Sequence, residues 1–426
     1  MARVALYGAG GSPYNHAAIL AQAGHDVAFV FPPDVAESAL TGFDVFVMPG
    51  GGYRSMVGQL EPLGPEGCRA VHRFVEAGGM YIGSCAGAYD AATVPNRFVA
   101  SCPAQKELRL LDARVWNDAE DADELQSPGI GELVCETVAP DHPVMAGVSS
   151  LFTITHYNGP LFDERYALSR IVDRGEAFTA AEDFLGPSGG RHLVDDAIKD
   201  GAANIVAGPC GRGRVVLFGS HPEFGATLAM DDVTPAARLL TNAVEWQSDE
   251  AGPTARAATP VRSEAPVAER VAADDLDAVR TLAASIAERC ERLQDRTDDA
   301  PWLAEGAAMS MFGRSARDIW LAALASTPKL AAEAADNCPA LPAHLRSFRA
   351  PEDWPVDGGF HGVVPLLQQA DGMLAAAETQ WRDDWPGRIT DPYSYDMESP
   401  YHLVAGSYLA AVGRTASAAL LTRGRH

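Results

Sequence analysis

The sequence predicts an α/β protein, with a doubly wound, mostly parallel sheet over residues 1–247, a linker over 248–267 and an all-α domain over 268–426. Three observations predict it. In the first half, short β-branched or aromatic runs alternate with helical patterns, the arrangement of parallel strands joined by crossover helices. A stretch holding Pro253, Pro260 and Pro266 among alanine, serine and charged residues then lacks any apolar period, as a linker does. Beyond it, apolar residues recur at helical spacing, as at Leu276, Val279, Leu282, Ile286 and Leu293.

Taken in order, strands are expected at Val4 to Tyr7, Val27 to Phe31 and Phe43 to Met48, with a helix from Asn15 to Gln22 closed by Gly24 as a C-cap. Pro65 to Ala77 reads as a helix and Met80 to Gly83 as a strand. Ser84-Cys85-Ala86-Gly87 is the turn into the next helix. From Gln105 to Asp195 the pattern is less regular. An acidic run at Asp118 to Glu124 suits a solvated loop, and strand-like runs at Glu132 to Val138 and Leu151 to His156 suit β-rich decoration. Ala203 to Ala207 and Gly213 to Gly219 flank a glycine-rich turn and read as a hairpin, and a helix from Thr234 to Gln247 closes the domain. In the second domain, helices are expected over Asp274 to Leu293, Ser315 to Ala335 and Tyr401 to Leu421, with a long irregular insertion between Cys338 and Gly362.

Composition narrows the partners. With 426 residues, 47% hydrophobic and 21% charged, the chain has the material for two globular cores. A net charge of −24 repels phosphate backbones and anionic headgroups, so neither nucleic acid nor a membrane surface is an expected partner. The seven cysteines are scattered without a CxxC pair, which predicts neither a disulfide framework nor a zinc site. No signal peptide opens the sequence and no run of about eighteen apolar residues occurs, so a cytoplasmic setting is expected.

The strongest local pattern is Tyr81-Ile82-Gly83-Ser84-Cys85-Ala86-Gly87-Ala88-Tyr89, a strand, a G-x-C-x-G turn and a helix. Glycines on both sides permit the sharp turn of a nucleophile elbow, which exposes the central side chain near a helix N-terminus where a thiolate is favoured. The alternative is a small cysteine packed at a strand end. Val215-Val216-Leu217-Phe218-Gly219-Ser220-His221-Pro222-Glu223 delivers a histidine and, two residues on, a carboxylate. Pro222 fixes the backbone between them, so His221 can face a nucleophile while Glu223 holds its tautomer. Alone, the same residues would make an ordinary capped turn. Pro49-Gly50-Gly51-Gly52 ends a strand where ligands sit in open α/β sheets, and its N–H groups could join that of Ala86 in an oxyanion hole. A flexible turn is the alternative. Gly8-Ala9-Gly10-Gly11 fails the dinucleotide spacing because Pro13 stands at the third glycine position.

Together these motifs resemble the class I glutamine amidotransferase superfamily, over roughly the first 246 residues, on a flavodoxin-like architecture. More narrowly, Tyr7-Gly8, Pro49 to Gly52, Gly83 to Tyr89, His156-Tyr157-Asn158-Gly159-Pro160-Leu161-Phe162 and His221-Pro222-Glu223 resemble the amidotransferase-like domain at the N-terminus of some biotin-protein ligases. The resemblance implies a catalytic Cys85, activated by His221 and oriented through Glu223, working by a thioester. It implies oxyanion or substrate contacts at Gly50, Gly51, Gly52, Ala86, Tyr157, Asn158 and Gly159, a small-molecule or peptide amide as substrate, and no cofactor or metal. A bland strand-end turn at Tyr157 to Gly159 stays open.

Two departures stand beside it. The helical domain carries no glycine-rich phosphate loop, so a consumer of ammonia or an acyl acceptor would be a separate partner enzyme. Gly211-Arg212-Gly213-Arg214 resembles a biotin-ligase motif but reads as a hairpin turn, which disfavours biotin transfer. A PfpI-like peptidase commonly has histidine after its cysteine, where this chain has Ala86. A PfpI-like peptidase, an amidase of other specificity and a non-catalytic binding or regulatory module remain as alternatives. His361 and His402, with Asp371 and Glu378, match no metal spacing. Trp302, Met309, Met311, Phe312 and Trp320 suit a helical core.

Overall fold

The computed structural model describes residues 1–50, 57–117, 128–180, 193–225, 235–250, 275–297, 316–340 and 363–380, apart from short gaps at 9–12, 14–15, 18, 21–22, 31, 37–39 and 176–177, together with Thr415, Ala418 and Ala419. They fall into two compact units. The first holds every described strand and the helices through Pro235–Glu250, and the second holds Asp275–Thr297, Ala316–Asn337 and Val363–Gln380.

Twelve strands are described in the first unit: β1 (Arg3–Tyr7), β2 (Asp26–Val30), β3 (Val45–Met48), β4 (Met80–Ser84), β5 (Ala92–Val94), β6 (Leu111–Arg114), β7 (Gly129–Thr137), β8 (Leu151–Tyr157), β9 (Ala167–Arg174), β10 (Thr179–Ala180), β11 (Ala203–Cys210) and β12 (Gly213–Phe218). Ten form one sheet in the order β10-β7-β9-β11-β12-β4-β3-β1-β2, with β8 paired to β7, while β5 and β6 pair separately. The half from β12 to β2 is parallel. β3 is apolar throughout, as suits a strand covered on both faces, and every residue of β3 and β4 is buried. Beyond β12 the sheet turns antiparallel. There β8 alternates, with Phe152, Ile154 and His156 turned to the buried face and Tyr157 to the open one. This antiparallel half is the β-rich decoration expected from the irregular pattern.

The strands line up so that β4 lies between β12 and β3, with Gly83 opposite both Leu217 and Met48. Their C-terminal ends therefore open at one level. The glycines of the G-x-C-x-G turn close the helix Ala86–Ala91 down on these strands. A Cβ on Gly83 would lie 2.4 Å from the Gly87 carbonyl oxygen, and one on Gly87 would lie 2.3 Å from that of Met48. Tyr81 seals the packing by donating its hydroxyl to the Gly87 carbonyl at 2.7 Å.

Several boundaries differ from expectation for identifiable reasons. The helix expected from Pro65 begins at Leu60, and Gly64 (φ 64°, ψ 176°) kinks it just before Pro65, where proline can start a fresh helical segment. The closing helix runs on to Glu250, three residues past the expected end at Gln247, because nothing before Pro253 breaks it. The turn at Gly211 is a hairpin joining Cys210 to Gly213, with φ 58° at Gly211, as expected for a glycine at the first turn position. Of the helix expected from Tyr401 to Leu421, Thr415, Ala418 and Ala419 are described, and all three are helical and buried. The remainder of that helix, the rest of the expected linker, the acidic loop 118–124, the insertion before Gly362, His361, His402, Trp302, Met309, Met311 and Phe312, and the side chain of Trp320, lie outside the described residues.

In the second unit Asp275–Thr297 packs against both other helices, burying Val279, Ile286 and Leu293. Arg289 bridges Asp371 (2.8 Å) and Glu378, and Glu378 also receives Arg292 at 2.7 Å. Asp371 and Glu378 thus hold helices together. Among the described residues no group of His, Cys, Asp and Glu could hold a metal ion, and no helix is long and apolar enough to cross a membrane.

Candidate active site

Cys85 follows β4 directly and caps the helix Ala86–Ala91. Its backbone sits at φ 48°, ψ −109°, a region a residue with a side chain adopts only under strain. The strain is held from two sides. The Cys85 N–H bonds the Phe218 carbonyl of β12 at 2.9 Å, and its own carbonyl accepts from Ala88 and Tyr89 in the first helical turn. The Sγ, buried under a thin cover, lies 3.4 Å from the Tyr157 carbonyl. Ala86, the next residue, stands in that first turn, where N–H groups have no intrahelical acceptor.

His221 comes from the end of β12, the strand beside β4, and its N–H is fixed to the Thr155 carbonyl at 2.8 Å. Its Nδ1 lies 2.6 Å from Glu223 Oε1. A carboxylate can only accept, so Nδ1 carries a proton, and Nε2 is the ring nitrogen left for the Cys85 side chain that interacts with His221. Burial alone would lower the His221 pKa, but the Glu223 carboxylate and the Cys85 side chain outweigh it and raise it to about 10. Burial would likewise raise Glu223, and the His16 and His221 rings hold it below its usual range instead.

Gly50 lies two residues past β3 on the other side of β4. A Cβ there would stand 2.5 Å from His221 Cε1 and 3.1 Å from Cys85 Cβ, so the bare backbone occupies the space beside both side chains. Gly51 and Gly52 lie outside the described residues. Tyr157, Asn158 and Gly159 form the opposite wall. Tyr157 is 38% exposed and meets the His221 ring edge to face at 6.5 Å, which makes it an open aromatic surface at the mouth. Asn158 turns the chain at φ 50°, and a Cβ on Gly159 would sit 1.8 Å from the Gly219 carbonyl. The expected site residues that are described, Cys85, His221, Glu223, Gly50, Ala86, Tyr157, Asn158 and Gly159, are therefore brought together around one sulfur.

Four buried polar residues of this neighbourhood were not anticipated. Asn117 donates to the Tyr89 hydroxyl at 2.8 Å and accepts the Leu161 N–H at 2.7 Å, tying the helix behind Cys85 to the wall that carries Tyr157. His156 contacts Ser220 at 2.9 Å, and burial, with the charge of His221, lowers its pKa to about 3, so it is neutral. Asp90 is buried with neither carboxyl oxygen hydrogen-bonded among the described residues, and burial, followed by the nearby Cys85, pushes its pKa well above the carboxylate range. His16 lies against Ser84 and Glu223. Each depends on contacts distant in sequence. Only the position of His156, inside a quoted motif, offered a signal.

Comparison with known proteins now bears on this geometry. Residues 37–99 match the family described as biotin-protein ligase, N terminal. The matched stretch contains the Gly50 turn and the Cys85 elbow and ends before His221, a shorter span than the 246 residues over which the motifs resemble that family. No curated protein matches the chain. Among solved structures, PurLQS from Thermotoga maritima is 12% identical, covering 57% of this chain and 98% of its own, at a TM-score of 0.38. A candidate GMP synthase component from Thermoplasma acidophilum is 15% identical, covering 58% and 95%, at a TM-score of 0.34. Scores this low carry no inference about activity, which is drawn from the site's own chemistry.

Proposed function

We propose that the first unit is a cysteine-dependent amide hydrolase or amidotransferase, acting on a small-molecule or peptide amide with glutamine as the first candidate. The observation that carries this reading is the buried His221–Glu223 contact of 2.6 Å beside a cysteine on a strained elbow. An inert structural cysteine needs neither.

The sulfur attacks the amide carbonyl, forming a C–S bond. The thiol proton rests on His221 Nε2 at neutral pH, where the raised pKa of the ring holds it, and passes to the nitrogen as the C–N bond breaks, leaving a thioester and free amine or ammonia. Water or a second nucleophile, deprotonated by the same ring, then cleaves the thioester and restores the thiol. Glu223 keeps Nδ1 protonated throughout. The Ala86 N–H and the glycine turn at Gly50 to Gly52 would face the developing oxyanion. Released ammonia would pass to a separate enzyme.

Ammonia release from glutamine, compared between the unmodified protein and Cys85→Ala, tests the reading. Release that vanishes in the variant, together with covalent modification of Cys85 by a glutamine-analogue electrophile, is the expected result. A folded protein that shows neither is not a glutaminase. If other amides also go unhydrolysed, a non-catalytic binding module replaces the enzyme.

A further inference from the structure

Glu223 has a second histidine beside it. Its Oε1 is taken by His221, while Oε2 is fully buried, makes no hydrogen bond among the described residues, and faces His16 Nε2 at 3.5 Å. His16 is itself completely buried, and the same Nε2 lies 3.0 Å from the hydroxyl of Ser84, the residue preceding the nucleophile. One imidazole nitrogen therefore touches both ends of the catalytic arrangement: the carboxylate that orients His221 and the strand end that presents Cys85.

The proton on His16 can be placed. A bare lone pair at Nε2 would point at the Glu223 carboxylate and repel it, in a setting where burial leaves little screening. A proton on Nε2 instead donates to the Ser84 hydroxyl and turns its positive end toward Oε2. A buried carboxylate with only one hydrogen-bonded oxygen needs such compensation to stay ionised.

We infer that His16 is a positioning residue of the active site, which keeps Glu223 ionised and aimed at His221 while fixing Ser84 at the base of the Cys85 elbow. The inference rests on the catalytic reading above. Among the described residues, the titratable groups that act on Glu223 are His16 and His221, with Cys85 and His156 interacting with His221 in turn. Neither of the latter two reaches Oε2 within hydrogen-bonding distance.

The test is the rate of Cys85 alkylation by iodoacetamide across pH, in the full chain and read by mass spectrometry, which requires no knowledge of the substrate. His16→Asn has an amide too short to reach the Nε2 position, whereas the amide nitrogen of His16→Gln reaches it. In the asparagine variant Glu223 should take up a proton more readily. The acid limb should then move up by about one pH unit, a loss of about tenfold in rate on that limb. The glutamine variant should restore most of it. Wild-type profiles in both variants, or equal displacement in both, would overturn the inference, the latter by showing a merely structural role. Should the asparagine variant fail to fold, the long-range nitrogen NMR spectrum of the unmodified protein decides: a protonated His16 Nε2 supports the inference and an unprotonated one overturns it. His221→Asn separates the two levels. If it leaves the profile unchanged, the catalytic reading itself fails and the role of His16 falls with it.

Discussion

At Gly50 one added carbon would do disproportionate damage. Alanine there would bring a Cβ to 2.5 Å from His221 Cε1 and 3.0 Å from Nδ1, so the ring must shift at the expense of its Glu223 contact. Gly50→Ala is therefore expected to lower turnover by about 100-fold, as displacing a reacting group by an ångström does, while the protein stays folded. An activity assay beside a melting curve separates this from general unfolding, and a variant with full activity would show that Gly50 does not bound the site. His221 and His156, coupled through their charges, also predict the pH dependence of stability. His221 has a folded pKa raised from 6.5 to about 10, so its contribution is complete below about pH 6.5 and is lost as pH rises toward 10. His156 has its pKa lowered to about 3, so its contribution is present above about pH 6.5 and is lost as pH falls. Urea midpoints should decline on both sides of neutrality, and His221→Asn should flatten the alkaline side. An unchanged alkaline slope in that variant would contradict the assignment. Cys85, His221 and Glu223 were legible in the sequence because each stands just past an apolar strand in a turn marked by glycine or proline. His16 and Asp90 were not, since nothing local distinguishes a buried titratable group whose partner lies 68 residues away, as Ser84 does from His16.

Among elements, the site is built from the adjacent ends of β3, β4 and β12 plus one wall from β8, and Asn117 is the bracket between that wall and the helix Ala86–Ala91. Asn117→Ala leaves the buried Leu161 N–H without its acceptor and the Tyr89 hydroxyl without its donor. The expected cost is about 2 kcal/mol of stability, with a matching loss of activity as the Tyr157 side relaxes. Denaturant unfolding with an activity assay checks both. Unchanged stability would mean that the wall is held by other contacts. The parallel half of the sheet was readable because strands buried on both faces are continuous apolar runs, as in Val45 to Met48. The helix start at Leu60 was misread because the kink at Gly64 made the segment before Pro65 resemble a turn.

At the scale of the whole molecule, the division into a sheet-bearing unit and a helical unit follows the change in periodicity along the chain, and the candidate site belongs wholly to the first. What the helical unit does was not legible and its described residues explain little more. Its partly buried ionic contacts, centred on Arg289, join Asp275–Thr297 to Val363–Gln380 and account for the acidic residues that would otherwise suggest a metal. Cys68, Cys102, Cys135, Cys210 and Cys290 all have thiols pushed up by burial, whereas Cys85 has the buried His221–Glu223 pair beside it. That contrast permits a direct test of the central claim, that Cys85 is a nucleophile driven by His221. Brief exposure of the full chain to a haloacetamide near neutral pH, followed by peptide mass spectrometry, should label Cys85 ahead of every other cysteine in the native protein. In a folded His221→Asn variant the preference should disappear. Labelling that is uniform, or that favours Cys85 equally in both proteins, would contradict the account.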